Sequence, residues 1–471
     1  MTPPHPNEER PIAALLAPDI LALLDELPAT VAVETEDMHP ADLADVAEAM
    51  PRDRVRVFLN ALPRERAADV MMHLSEELRT EVLEGMSARD AAALVVEMTP
   101  DDRADVLEEL EEEVADDILD EMPVEEREET EQLAAYDPYT AGGLMTTEFV
   151  KAPEGLTAEA ALRGVRRIAR SGRREAMHAI YVTEPGGALT GVLSLRELLA
   201  APEGALMSEI AHSEVQSVRA TASQEDVARV IGKYDLVAVP VVDDHGHIIG
   251  VVTVDDVIDV IEEEATEDVQ KLGGMEALDE PYMTISFRDV LRKRVGWLII
   301  LFMGSLLTAT VIERFQSQLA AVTVLTLFIP LVMSSGGNSG SQATSLIIRA
   351  MALNEVRLRD WWRVARRELF SGAALGAVLG ILGLLRVLVW ERLGLYDYGP
   401  QYVRIAFTVG ATLVGVVTFG SLMGSMLPFA LRRLGFDPAS ASAPFVATLV
   451  DVTGLAIYFG IALLLLRGTL L

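Results

Sequence analysis

The chain has 471 residues, room for three or four domains, and a formal net charge of −33. It has no cysteine, which excludes a disulfide framework and any thiolate metal site. Before Tyr282 there are 22 Lys/Arg against 63 Asp/Glu, and from there on 17 against 9, so an acidic soluble region precedes an apolar, mildly basic one. So much like charge resists compaction unless cations gather on it, which reads as a cation-binding surface. The opening MTPPHPNEER has no basic stretch followed by an apolar run, so no cleaved leader is expected.

Along the acidic region, Met50-Pro51, Leu62-Pro63, Leu74-Ser75, Met86-Ser87, Met98-Thr99, Leu110-Glu111 and Met122-Pro123 recur at one strict spacing. Pro, Ser and Thr suit a helix start. Each unit is therefore a helix of about two turns and a tight link, with the large apolar residue before the start turned inward. A fixed short period of this kind predicts a stacked helical superhelix. Its outside is expected to carry Asp101, Asp102, Asp105 and the acids of 108–113.

From about Thr146 the pattern changes to strands with helices. A strand at 178–183, a Pro-Gly-Gly turn at 185–187, a strand at 189–194 and a helix at 195–199 follow one another. The plan then returns at a constant offset: a strand at 237–242, a turn at His245-Gly246, a strand at 248–253 and a helix from Val254. That offset carries Gly191 onto Gly250, Ser194 onto Thr253 and Glu197 onto Asp256. This resembles a tandem pair of CBS domains. The resemblance implies a regulatory module that often binds adenine nucleotides through a Ser/Thr-x-x-Asp element, so Arg196 and Glu197 are nucleotide-site candidates and ATP a candidate cofactor. Ala179 and Leu236 stand where ATP-binding relatives stack aromatic rings, which weakens that candidacy.

Residues 265–294 read as a helical connector whose last part, 282–294, is amphipathic and ends basic, as suits a membrane surface. The runs 295–312, 369–385 and 405–431 carry no charge, and 438–466 carries none apart from one Asp. A spanning helix needs about 20 such residues. The run 315–348 is uncharged throughout, longer than one helix needs, and contains Pro330 and Gly336-Gly-Asn-Ser-Gly340. It is read as one long, interrupted span. Five spans place the two ends on opposite sides. Loops on the amino-terminal side hold 12 bases and those on the other side 5, which puts the amino terminus in the cytoplasm and the carboxyl terminus outside.

Asp451, in Pro444-Phe-Val-Ala-Thr-Leu-Val-Asp451-Val-Thr-Gly454, is the only ionisable residue deep in any predicted span. A lone membrane carboxylate costs roughly 2.5–3.5 kcal/mol on insertion scales, so such groups face water, a partner or an ion. In a two-fold dimer with an axial pore, one Asp per chain places two carboxylates face to face, which suits a divalent cation. Mg²⁺ gives up its water reluctantly and takes oxygen ligands. The spans offer Ser334 to Gln342, Thr448 and Gly454, and no His or Cys from Tyr282 onward, which argues against a pore site for Zn²⁺, Cu⁺ or Ni²⁺.

The order of domains, with Gly336-Gly-Asn-Ser-Gly-Ser-Gln342 and the Pro444–Gly454 segment, resembles the MgtE magnesium channels. The expectation is a multidomain membrane protein: an all-α superhelix at 1–145, an α/β CBS pair at 146–205 and 206–264, a connector (plug) helix at 265–294 and a five-helix membrane domain at 295–471. The resemblance implies a homodimer in the bacterial inner membrane that takes up Mg²⁺ and closes when Mg²⁺ binds its cytoplasmic domains. It implies no enzymatic activity and no nucleic-acid partner. Asp451 would be the pore site, with Gly336, Gly337, Asn338, Gln342, Thr448 and Gly454 lining the path. Regulatory acids at matching positions are Asp101, Asp105, Glu225, Asp235, Asp256, Asp259, Glu264, Glu267, Asp268 and Asp437. One departure is Ala443, where many members have Asn. An exporter or exchanger, or a path for Co²⁺ or Mn²⁺, is the alternative. An intramembrane protease is disfavoured, because Gly337-Asn-Ser-Gly340 has no histidine base after His247.

Overall fold

The computed structural model describes residues 10–169, 179–202, 204–278, 282–283, 285–316 and 323–467. They form two compact units, 1–261 and 262–471. The start of the strand expected at 178 lies outside the described residues.

The first unit opens with a run of helices: α1 (Arg10–Glu26), α2 (Pro28–Glu34), α3 (Pro40–Glu48), α4 (Arg52–Ala61), α5 (Arg64–Met72), α6 (Glu76–Glu84), α7 (Ala88–Val95), α8 (Pro100–Glu108), α9 (Glu112–Glu121) and α10 (Val124–Leu133). From α3 onward the helix starts, Pro40 through Val124, are evenly spaced, at the period read from the sequence. Met50, Leu62, Leu74, Met98, Leu110 and Met122, each just before a start, are buried in one core, with Met86 packed partly against it. Burying such a side chain contributes about 1.5–3 kcal/mol, which an isolated two-turn helix cannot supply by itself. Alternate helices stack, α3 on α5, α5 on α7, α7 on α9 and α8 on α10, so stability is passed between neighbours. A nearly buried ion pair clamps the stack, with Arg79 Nε donating to Glu109 Oε2 at 2.7 Å.

Two copies of one small sheet follow. In the first, β1 (Val150–Pro153) runs parallel to β2 (Ala179–Thr183), which pairs antiparallel with β3 (Leu189–Ser194). In the second, β4 (Val218–Arg219) runs parallel to β5 (Ala238–Val242), which pairs antiparallel with β6 (Ile248–Thr253). Even the register irregularity recurs, between Val182 and Thr183 and between Val241 and Val242. The sheets carry α11 (Ala158–Ile168), α12 (Leu195–Ala200), α13 (Met207–Ile210), α14 (Gln224–Tyr234) and α15 (Val254–Leu272). Ala104 and Leu133 of the superhelix enter the core of the second sheet beside Val241, Val252 and Val257.

No glycine or proline interrupts α15, so it runs through the boundary expected after 264 and stops at Gly273-Gly274, where Gly274 takes φ +77°. The chain then turns back, and Glu276 N–H donates to Lys293 O at 3.1 Å. The basic stretch 288–294 is not a separate helix, because it opens α16 (Phe287–Arg314), which continues into the first apolar run. The expected connector 265–294 is thus the end of α15 joined by a turn to the opening of α16.

The rest of the second unit comprises α17 (Ile329–Ala352), α18 (Trp361–Arg392), α19 (Tyr402–Arg433) and α20 (Ala443–Leu466). Among the described residues α16, α18, α19 and α20 are long and apolar enough to cross a membrane. α17 is 24 residues long but carries serines, Asn338 and Gln342. A short 3₁₀ turn at Thr323–Phe328 leads into it, Pro330 sits in its first turn, and residues 317–322 lie outside the described part. The glycine-rich segment does not interrupt it. A Cβ on Gly420 would run into Gly336 O, and one on Gly424 into Gly340 O. Paired small residues one helical turn apart on α17 and α19 thus let the backbones touch, the packing that membrane helices use.

Candidate cation sites

The superhelix and the second CBS repeat meet at a group of acids. α8 presents Asp101, Asp102 and Asp105, and α15 presents Asp255 and Asp256, close enough that Asp255 helps to raise Asp102 and Asp256, and that Asp101 and Asp102 help to raise Asp256. Asp101 was expected on the outer surface, but it is 6% exposed, because its helix packs on the CBS core through Ala104. Its Oδ1 is buried with no hydrogen-bond partner among the described residues. Asp256 is held by its own turn, accepting from Thr253 Oγ1 at 2.6 Å. Burial, and then Asp102, push Asp101 above the ordinary carboxylate range; burial, and then Asp101, do the same to Asp256. Asp105, at the rim, is pushed up to about 7 by the protein around it and by Asp101 and Asp102. Like carboxylates forced together with an orphaned oxygen fit a hard divalent ion, which oxygen ligands suit. Asp102, expected only as an outer acid of the superhelix, and Asp255, whose only signal in the sequence was adjacency to Asp256, complete the group.

In the second unit, the end of α15 docks near the last turns of α17 and the loop before α20, with Leu272 packed on Ile348, Ala439 and Ala441. Here Glu264, Glu267 and Asp437 gather around Asp268. Burial raises Asp268, and Asp437 and Glu264 raise it further. A cation already stands between them. The Lys271 ammonium donates to Asp437 Oδ2 at 2.7 Å and pairs with Glu267. Burial alone would lower that ammonium, but its bonds to the two carboxylates hold it above its ordinary value. Lys271 was not singled out from the sequence, although it stands one turn after Glu267, the spacing of a helical ion pair.

Asp451 lies half-buried on α20 and makes no hydrogen bond or ion pair among the described residues. One turn earlier, Thr448 Oγ1 donates back to Pro444 O at 2.9 Å. α17 runs antiparallel beside it, as Gly336 meets Val450, Gly340 meets Val446, and Ser341 Oγ donates to Ala443 O at 3.3 Å. Ser334, Asn338 and Gln342 form an exposed polar row on α17 at this level, and an open depression below is lined by Ser341, Gln342, Ser345 and Leu346. Two expected lining residues prove to be packing glycines. A Cβ at Gly336 would stand 2.5 Å from Val416, and one at Gly454 3.1 Å from the same side chain. Gly337 faces Ala447 with room for ordinary contact.

Comparison with known proteins bears on these three places. The divalent cation transporter model of MgtE matches residues 329–461, the MgtE intracellular N domain 38–139, and CBS domains 141–204 and 207–263. The magnesium transporter MgtE of Thermus thermophilus is 45% identical over 342 residues, 73% of each chain. This chain belongs to the MgtE family. A second member, the magnesium transporter MgtE of Enterococcus faecalis, is 35% identical over 346 residues, again 73% of each chain. A solved structure, the soluble part of a magnesium transporter, superposes with a TM-score of 0.51 at 30% identity, covering 54% of this chain and 99% of its own. With its apolar helices, the present MgtE-family chain is a multi-pass membrane protein.

The remaining candidates of this MgtE-family chain are scattered. Glu225 opens α14 and Asp235 closes it as a left-handed cap with φ 52°, so the two lie at opposite ends of one helix and both are exposed. Asp259 lies on the exposed face of α15. Glu197 is already engaged, since Oε2 accepts from Ser194 Oγ at 2.9 Å and Oε1 lies 2.8 Å from His212 Nε2. It and Arg196 form the first turn of α12, a capping box. Ala443 opens α20 behind Ser442, whose buried hydroxyl accepts from Phe445 N–H at 3.3 Å, so a polar side chain caps this end without the usual Asn.

Proposed function

We propose that the chain carries Mg²⁺ through the membrane as half of a homodimer, with α17 and α20 lining an axial pore and Asp451 at its ion site. The supporting observation is Asp451, which has no hydrogen-bond or ion-pair partner among the described residues, beside the exposed row Ser334, Asn338 and Gln342 on the helix packed against it. A second copy would cover that row and bring a second carboxylate. The ring of oxygens would then meet a hydrated divalent ion. Uptake into liposomes holding a Mg²⁺-sensitive dye tests this, with Co²⁺, Mn²⁺ and K⁺ as competitors. Mg²⁺ entry that K⁺ does not suppress is expected. Dye-silent vesicles containing the folded chain would overturn the reading, and entry only of Co²⁺ or Mn²⁺ would favour the alternative cargo.

The same ion closes the path. Mg²⁺ at Asp101, Asp102, Asp105 and Asp256 neutralises charges that otherwise push the superhelix away from the second CBS repeat. The buried Asp101 Oδ1, without a hydrogen-bond partner among the described residues, supports this assignment. The sign of the pH effect follows from the raised carboxylates. Each holds its proton longer in the folded unit than in the unfolded chain. Their contribution to the contact is therefore present at low pH and lost as pH rises through the folded values, about 7 for Asp105. Mg²⁺ binds only the ionised form, so its apparent affinity moves the other way, rising at least about tenfold between about pH 6 and 8 with proton release. Calorimetry in buffers of different ionisation enthalpy reads both quantities. Constant affinity across that window, with no protons released, would count against the assignment.

A further inference from the structure

The turn between β5 and β6 carries Asp243-Asp-His-Gly-His247. Asp243 Oδ1 accepts the backbone N–H groups of His245 and His247, both at 2.8 Å. Those bonds aim Oδ2 at the two imidazoles, with Nδ1 of His247 at 3.0 Å and Nδ1 of His245 at 3.8 Å. All three ligand atoms lie within 4.8 Å of one another. At metal–nitrogen bonds of about 2.0–2.1 Å, neighbouring ligand atoms in a tetrahedral shell stand about 3.3 Å apart. The two observed separations bracket that spacing. A pinned carboxylate facing two imidazoles suits borderline transition metals, whereas Mg²⁺ prefers oxygen alone.

The internal repeat supplies a control for the simpler role of closing a turn. At the offset that carries Gly250 back onto Gly191, the three positions are Glu184, Gly186 and Ala188. That hairpin also closes, with Glu184 N–H donating to Ala188 O at 3.0 Å as Asp243 N–H donates to His247 O at 3.0 Å. The turn therefore needs neither histidine. We propose that Asp243, His245 and His247 bind one transition-metal divalent cation of the Zn²⁺ type, with water completing its shell. This site is distinct from the acidic cluster and from the pore. It stands where the two repeats touch. Leu189 N–H donates to Gly246 O at 3.0 Å, and a Cβ on Gly187 would lie 3.5 Å from the His247 ring. A bound ion fixes the His247 ring against the first repeat and so stiffens the CBS pair at its hairpin junction.

The test uses the full chain in detergent, with Mg²⁺ in millimolar excess to fill the carboxylate sites. Zn²⁺ is titrated against a chromophoric chelator, and Co²⁺ is followed by its visible absorption. One Zn²⁺ per chain is expected, with the Co²⁺ spectrum of a low-coordinate nitrogen–oxygen site. His245→Gly with His247→Ala copies the first repeat's own turn, so the variant keeps its fold, which an unchanged metal-free melting curve verifies. In that variant Zn²⁺ affinity should fall at least about tenfold and the Co²⁺ bands should vanish. Undiminished Zn²⁺ stoichiometry and affinity in the double variant overturn the site. Displacement of Zn²⁺ by the Mg²⁺ excess overturns it equally.

Discussion

Asp451→Asn is expected to reduce Mg²⁺ entry into liposomes by more than about a hundredfold while the protein still assembles. A charge-assisted contact is worth roughly 1.5–3 kcal/mol, and a two-fold pore of the kind proposed would lose two of them together, each tenfold costing about 1.4 kcal/mol. Asn matches Asp in shape, so the loss would report the charge rather than a packing fault. Asp451 makes no hydrogen bond or ion pair among the described residues, so little structural disturbance should follow. Wild-type flux through the Asn variant would remove Asp451 from the path and leave the polar row of α17 as the remaining candidate.

The second large effect is expected from Asp101→Asn, Asp105→Asn and Asp256→Asn together. Amides keep the acceptor that Thr253 uses and the volume that the α8 contact needs, but they remove the charges that a divalent ion would neutralise. A ligand shifts an equilibrium only by its differential affinity for the two states. The triple variant should therefore conduct, yet need at least about tenfold more Mg²⁺ on the domain side to close, as one lost charge-assisted contact already implies. Inside-out patch recordings at graded Mg²⁺ measure this. Limited proteolysis is the companion measurement: Mg²⁺ is expected to protect the first unit of the wild type and to leave that of the triple variant as open to cleavage as without it. Closure at the same Mg²⁺ concentration as wild type would show that the acidic cluster is not the sensor.

Much of the architecture could be read from spacing alone. The links at Met50 to Met122 repeat because each short helix must anchor through one large side chain, and that need leaves a period in the sequence. The echo between the two CBS repeats was equally plain, since Gly191 and Gly250 and the capping pairs Ser194–Glu197 and Thr253–Asp256 do local work. Burial was not legible. Asp101 looks like any surface acid until α8 is laid on the CBS core. The ends of helices were misjudged for a related reason. A basic, amphipathic stretch suggests a separate surface helix, yet nothing in 288–294 breaks the backbone, so α16 absorbs it. The glycines of α17 suggest an interruption because glycine weakens a helix in water. Against α19 they let two backbones touch, and which neighbour would stand there lies beyond local sequence.

Lys271, set between Glu267 and Asp437, has a consequence for how an ion level could be measured there. A cation tethered by its own main chain is present at an effective concentration fixed by geometry, and that concentration does not follow the ionic content of the surroundings. Any divalent ion entering between these carboxylates competes with a rival whose supply never changes. Its apparent affinity is scaled down by a constant factor, the fraction of time the ammonium is away. The side chain thus serves as an internal reference against which the outside ion is weighed. The set point of such a balance depends on the reach of the tether as well as on the ligands, so family members could retune it by altering one residue that never touches the metal.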